Sequence, residues 1–284
     1  PLKSCDDAGN EYTHVLCPTF CTVCIMMMEV VDELSYNSGT FVLYLAGAYP
    51  PHFWSAGMTT VQAGQLVSTS VAITYTTPFI MAIIADSFIG NYLTILIFSL
   101  CMSIPGLLLI ALTAYPYLLE NTFPTGILTT AMLGLIPMGS GGIMACVNVL
   151  GAQQFHPVLQ KRQLESYYVN FYLAVNIGVL IGGMIIPIVL RYSAFAGYML
   201  STCCFILVFF AFVAGNCLHN YVKMKPQGKD NLTVLKILGK TICSLQSIER
   251  QKVSCGGLYS DVLVQSIKKL GAVIPVTLLI MPLN

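Results

Sequence analysis

Apolar runs long enough to cross a bilayer recur along this chain, separated by short polar breaks. A membrane helix needs about 20 mainly apolar residues. Six stretches meet that length, at 15–48, 63–85, 92–115, 125–150, 168–190 and 194–217. The first is too long for a straight crossing, so it tilts, kinks or protrudes, with Ser38-Gly39 as the expected break. After the sixth run the pattern changes. Residues 218–269 are polar and basic, yet Leu232, Leu235, Leu238, Ile242 and Leu245 recur at helical spacing. That pattern fits an amphipathic helix on a membrane surface or a solvated linker helix. A seventh apolar run begins at Gly271 and reaches only Asn284, so 270–284 reads as the opening of a further membrane helix. The layout is all-α and multi-pass: a tail at 1–14, a six-helix bundle over 15–217, a linker over 218–269 and the start of a seventh helix.

Composition narrows the class. Of 284 residues, 56% are hydrophobic and 9% charged, against about 25% charged in soluble domains. A soluble globular protein is excluded, and the lipid bilayer is the first partner. The net charge of +1 gives no ground for a nucleic-acid partner. Cys17, Cys21 and Cys24 resemble a metal cluster, but at helical spacing inside an apolar run they are expected to pack as small apolar side chains. No metal or organic cofactor is expected. The spans hold no His pair, Cys–His–Asn set or HExxH motif, which argues against an enzyme, and His156 lies in a loop where solvent is its expected partner.

The basic residues set the orientation. Lys3, Lys161, Arg162 and all nine Lys and Arg residues from Lys223 to Lys269 fall on one side of a six-span chain, and Arg191 alone falls on the other. The N-terminal tail and the 218–269 linker are expected to be cytoplasmic. Either the plasma membrane or an endolysosomal membrane fits this reading.

The strongest chemical signal lies in the first run, at Glu29, Asp32 and Glu33. On a helix, offsets of three and four place all three acids on one face. An ionised acid at mid-membrane depth costs several kcal/mol, so such groups face a bundle interior or a wet cavity. No Lys or Arg lies between Lys3 and Lys161 to neutralise them. Dehydration and mutual repulsion favour the protonated form of at least one, which suits a group that takes up and releases protons. Two plainer readings stay open: the acids mark a helix end among the headgroups, or distant residues pair with them.

Other motifs follow along the spans. Asp86 and Gly90 fit a short turn between the second and third runs, with Tyr75 eleven residues earlier, about 16 Å deeper along a helix. Gly139 to Asn148 is rich in small residues but lacks the Lys-Ser/Thr of a phosphate loop, so close helix packing is expected. Gly178 and Gly182 form a GxxxG face. For Asn176, a bond between helices and a contact to substrate are both open.

Together these stretches resemble a known family, the proton-coupled oligopeptide transporters of solute carrier family 15. Tyr75 to Gly90 is similar to the family's second-span signature, and Phe171 to Leu180 to its fifth-span signature. Glu29-x-x-Asp32-Glu33-x-x-Tyr36 resembles its first-helix acidic motif, Gly139 to Phe155 its fourth-helix stretch, and Gly256 to Pro282 the lead into its seventh helix. The likeness runs from Glu29 to the end of the chain and looks nearest a divergent member. It implies a major-facilitator fold of two six-helix halves, alternating access, and protons as the coupling ion for di- and tripeptides. Glu29 and Asp32 would then be proton-coupling acids, with Glu33 beside them, and Tyr36, Tyr75 and Asn176 would line the peptide cavity. This half would need a second transporter half or self-association.

The departures from the family pattern bear on substrate. Glu33 stands where a first-helix Arg is expected, Met144 where a fourth-helix Lys is expected, and Asn37 where a second Tyr is expected. Without those basic groups to pair a peptide carboxylate, carboxylate recognition is expected to be weak and the substrate cationic or neutral. The alternative is a non-transporting binding or regulatory protein, or an inactive half-transporter.

Overall fold

In the computed structural model, the described residues are 2–5, 10–15, 18–40, 58–115 and 124–226. Six helices follow a short hairpin among them: β1 Leu2–Cys5, β2 Glu11–His14, α1 Thr19–Thr40, α2 Thr60–Ile89, α3 Asn91–Thr113, α4 Thr125–Ala152, α5 Lys161–Tyr192 and α6 Ala194–His219. The amphipathic stretch and the seventh run lie outside the described residues. Apart from Asp86–Phe88, the described helical residues form one compact unit.

Helices α2 to α6 contain stretches long and apolar enough to cross a membrane. α1 falls short of that measure because Glu29, Asp32 and Glu33 put three carboxylates within its 22 residues. It is helical as far as Thr40, just past Ser38-Gly39, and residues 41–57 lie outside the described residues. α5 begins seven residues before the apolar run. Lys161, Arg162, Gln163, Leu164 and Glu165 are strong helix formers, so the helix starts in the polar segment while the hydropathy rise at 168 marks only where apolar sequence begins.

Three of the helices contain a widened π turn, at Ala85–Ile89 in α2, Ser99–Ser103 in α3 and Ala131–Leu135 in α4. α2 opens with a reciprocal cap: Thr59 Oγ1 accepts from the Gln62 N–H, and Gln62 Oε1 accepts from the Thr59 N–H. Gly90, at φ 86°, makes the corner into α3, a left-handed position that favours glycine.

Helix α1 is the central element, packed along α4, α5 and α6, while α3 lies against α4 and α6 and α2 against α4. Ile25 and Met28 of α1 meet a core built from Ile143, Val147 and Leu150 of α4 and Phe205, Phe209 and Phe212 of α6. Small residues make the close approaches possible, as their spacing predicts. A side chain at Gly141 would lie 2.6 Å from Thr77 Cβ, and one at Gly142 2.8 Å from Phe98 Cβ. Cys21 and Cys24 are buried in this packing, as small apolar residues would be. α5 is the least covered helix, with Val169, Tyr172, Leu173, Leu180, Met184 and Ile188 exposed.

The tail is not featureless. β1 and β2 pair antiparallel, with Leu2 opposite His14 and Ser4 opposite Tyr12. Along β2, Tyr12 and His14 turn inward while Glu11 and Thr13 face out, the period-two pattern of a half-buried strand. The fold is therefore all-α apart from this hairpin. His156, expected in solvent, is buried instead.

Candidate functional site

The acid face of α1 is positioned by the small residues of α4. Gly139, Gly141 and Gly142 bring α4 against α2 and α3 without intervening side chains. Ser140, among them, reaches α1: its hydroxyl donates to Asp32 Oδ1 at 2.9 Å. Asp32 is 4% exposed and Glu29 6%, whereas Glu33 is half-buried. The three acids thus divide into two buried in the bundle and one at its margin.

Asp32 and Glu33 open on a small pocket completed by Tyr36, Thr74, Tyr75, Ser140 and Met144. Its free volume of about 10 Å³ is roughly the room for one water. Tyr36 and Tyr75 come from α1 and α2, so two residues that the motifs mark as cavity-lining are brought beside the acids. Thr74 returns its hydroxyl to the Ser70 carbonyl, and Ser70 donates to the Met132 carbonyl at 2.7 Å, tying α2 to α4 behind the pocket. Met144, rather than a cation, forms part of the wall.

Glu29 has a different environment. Its Oε2 is buried with no hydrogen-bond partner. A full charge on an unpaired, dry oxygen is costly. Tyr167 of α5 is itself buried, and its hydroxyl donates to the Asn148 carbonyl at 3.4 Å.

The structure separates Asn176 from this group. It is exposed, and its amide donates to the Tyr172 carbonyl of its own helix at 2.7 Å. Gly178 is a packing residue: a side chain there would lie 2.9 Å from the Val30 carbonyl oxygen of α1. Asp86 is exposed within its π turn.

Sequence reasoning missed a second feature. A groove of about 550 Å³ runs between the first turns of α1 and α5, lined by Thr22, Met26, Gln160, Arg162, Ser166 and Asn170 among others. Arg162 gives it a positive charge, although the orientation argument uses that residue only as a topological marker. The signal was present: Arg162, Ser166 and Asn170 recur every fourth residue, a polar stripe on one helix face. Tyr167 lines the same groove.

Alanine at Ser140 removes the donor to Asp32 without changing the fold's volume much. A loss of about 1 kcal/mol is expected, the usual scale for a hydrogen bond between membrane helices. Thermal unfolding in detergent checks it, with Thr76→Ala as control, since the Thr76 hydroxyl is exposed and bonds only within α2.

Comparison with known proteins adds the following. Residues 92–280 match the family profile described as PTR2, the POT family. Solute carrier family 15 member 1 of Oryctolagus cuniculus is 30% identical over 241 residues, which cover 77% of this chain and 32% of that protein. Peptide transporter family 1 of Drosophila melanogaster is 37% identical over 164 residues, 58% of this chain and 19% of that protein. A crystal structure of the peptide transporter POT in complex with sulfate superposes with a TM-score of 0.64 at 17% identity, covering 92% of this chain and 52% of that one. The POT family transporter PepTSo gives 0.62 at 23% identity, covering 82% and 43%. At such identities the two structures speak for the fold. The chain spans a third or less of the curated relatives' length.

Proposed function

The chain belongs to the POT family, and from that premise we propose that it forms the first half of a carrier that moves di- and tripeptides together with protons. The observation that carries this reading is the division of labour in α1. Glu29 and Asp32 are buried in the bundle, while Asp32 and Glu33 adjoin a pocket walled by Tyr36 and Tyr75. A proton on Glu29, Asp32 or Glu33 neutralises charge at the point where helices must part and close, and so biases one cavity state over the other. Tyr36 and Tyr75 offer hydroxyl and ring contacts to a peptide. Asn176 joins them only if its amide leaves the Tyr172 carbonyl. A second half, on a longer chain or from another copy, supplies the opposite wall. The N-terminal hairpin and the 218–269 linker face the cytoplasm in this reading.

The direct test is uptake of a labelled dipeptide into proteoliposomes, with and without an acidic exterior. This chain is compared with the same chain joined to a POT-family second half. Acid-stimulated uptake by the joined form is the expected result. No stimulation in either form would remove the symport reading.

Substrate choice follows from the charges. Asp32 and Glu33 favour the amino end of a peptide or a basic side chain, and Met144 offers no anion receptor. Arg162 lines the separate groove between α1 and α5. Cationic and neutral dipeptides are expected to compete for uptake several-fold better than acidic ones, on the scale of a 1–2 kcal/mol charge preference. Equal competition by all three classes would show that these departures do not set selectivity.

A further inference from the structure

At the end of the bundle where α4 gives way to α5, two histidines are used in a way that the transport reading leaves unexplained. His14 of β2 is 0% exposed, His156 in the loop after α4 is 8% exposed, and their rings meet edge to face with centroids 5.5 Å apart. Their hydrogen bonds assign the protons. His156 Nδ1 accepts from the backbone N–H groups of Val158 and Leu159, each at 3.2 Å. Its hydrogen is therefore on Nε2, which donates to the Lys3 carbonyl at 3.1 Å. His14 Nδ1 donates to the Gln154 carbonyl at 3.4 Å, and its Nε2 accepts from the Ser4 hydroxyl at 2.7 Å. In the neutral form each ring has one nitrogen placed to accept and one to donate.

Further bonds extend the fastening. Gln160 Nε2 donates to the Val15 carbonyl at 3.2 Å. Gln154 exchanges bonds with Val222 in both directions, at 3.0 and 3.2 Å, and the Lys225 N–H donates to the Tyr12 hydroxyl at 3.1 Å. The hairpin thus holds both the α4–α5 loop and the segment leaving α6.

We propose that the hairpin is an acid-released strap built on the His14–His156 contact, closed while His14 is neutral and opened when it takes up a proton. A proton on His156 Nδ1 removes the acceptor from two backbone amides at once. A proton on His14 Nε2 would reverse the bond to the Ser4 hydroxyl and put a full charge on a ring that is 0% exposed, and two imidazolium rings at this separation would repel. Burial holds His14 below the ordinary histidine range, opposed by the Gln154 carbonyl and reinforced by His156. The closed strap therefore binds fewer protons than the open one, and its stability falls as pH drops through the ordinary histidine range. Among the described residues, the other charged groups on the surrounding elements are Lys3 and Glu11, which pair at 3.5 Å, Lys161 and Arg162 at the start of α5, Glu165 one turn on, and Lys223 and Lys225 after α6. The Lys225 ammonium donates to Asn10 Oδ1, and that of Lys223 lies over the Tyr92 ring.

Amide hydrogen exchange of this chain in lipid nanodiscs tests the strap at about pH 7.5 and about pH 5.5, either side of the histidine range. After correction for intrinsic exchange, the Val158, Leu159, Val222 and Lys225 amides are expected to be protected at the higher pH. At the lower pH they should exchange on the order of tenfold faster while core amides of α4 hold. The double variant His14→Asn, His156→Asn offers an amide donor to Gln154 and an amide oxygen to Val158 and Leu159 but cannot titrate, so it should stay protected at both pH values. Equal protection of the native chain at both pH values, no protection at either, or the same acid loss in the variant would overturn the proposal. Ring-carbon NMR of the native chain gives a reading that does not need the variant. His14 should be neutral at the higher pH and take up its proton together with the loss of protection, and a His14 titration that leaves the loop amides unmoved would equally overturn it.

Discussion

Glutamine at Glu29 is expected to flatten the pH dependence of peptide uptake in the joined carrier. The substitution keeps the shape and polarity of the side chain but cannot release or take up a proton. Glu29 is buried, with one carboxyl oxygen lacking any hydrogen-bond partner, so its protonation state is tied to whether the surrounding helices admit water. Coupling between two ligands of one protein is commonly 5–150-fold, and a loss of acid stimulation on the order of tenfold is the expected size. Glu33→Gln should have a smaller effect, since that side chain is half-buried and lies beside the pocket. The measurement is initial rate against external pH for both variants. Undiminished acid stimulation in Glu29→Gln would take Glu29 out of the coupling role and leave Asp32 as the candidate.

Leucine at Gly178 is expected to damage the bundle strongly. A Cβ there would sit 2.9 Å from the Val30 carbonyl oxygen and 3.1 Å from its Cα. Both are backbone atoms of α1, so no flexible side chain can yield, and α1 and α5 must move apart. Overpacking of this kind costs about 1–3 kcal/mol and occasionally more. Leucine at Gly183, where a new side chain would meet nothing within 4 Å, is the control. Thermal unfolding in detergent should separate the two by at least several degrees. Because Val30 follows Glu29 directly, Gly178→Leu should also lower uptake in whatever fraction remains folded. Equal melting of the two variants would mean that the close α1–α5 contact does not support the bundle.

The readable parts of this protein are those written in a repeating code. Five apolar runs became helices α2 to α6, because an unbroken apolar stretch in lipid has few alternatives to a helix. The small-residue stretch of α4 and Gly178 of α5 were legible as packing sites because only small residues allow backbones to approach so closely. The acids of α1 stood out by rarity. What stayed hidden depended on distant partners. Ser140 is an ordinary residue until α4 brings it within 2.9 Å of Asp32, 108 positions away. The hairpin is two four-residue strands whose buried side rests on a loop some 140 residues later, so no local period announces it. His156 looked solvated for the same reason: its partner His14 belongs to the other end of the chain. Arg162 was visible, and the polar stripe it begins went unread because its charge had already served the orientation argument.

The three π turns have a consequence for how this sequence can change by insertion and deletion. Each holds one residue more than an α-helical path of the same rise requires. Deleting a single residue from Ser99–Ser103 would let the ladder close at regular α spacing while the residues beyond it keep their facing. Leu107 and Ile110, turned into the core, would stay there. The same deletion in a regular stretch would rotate everything beyond it by about 100° and draw the helix in by about 1.5 Å. Each π turn is therefore a stored residue: it marks where a one-residue length change can be absorbed with least damage to the hydrogen-bond ladder and to the core beyond.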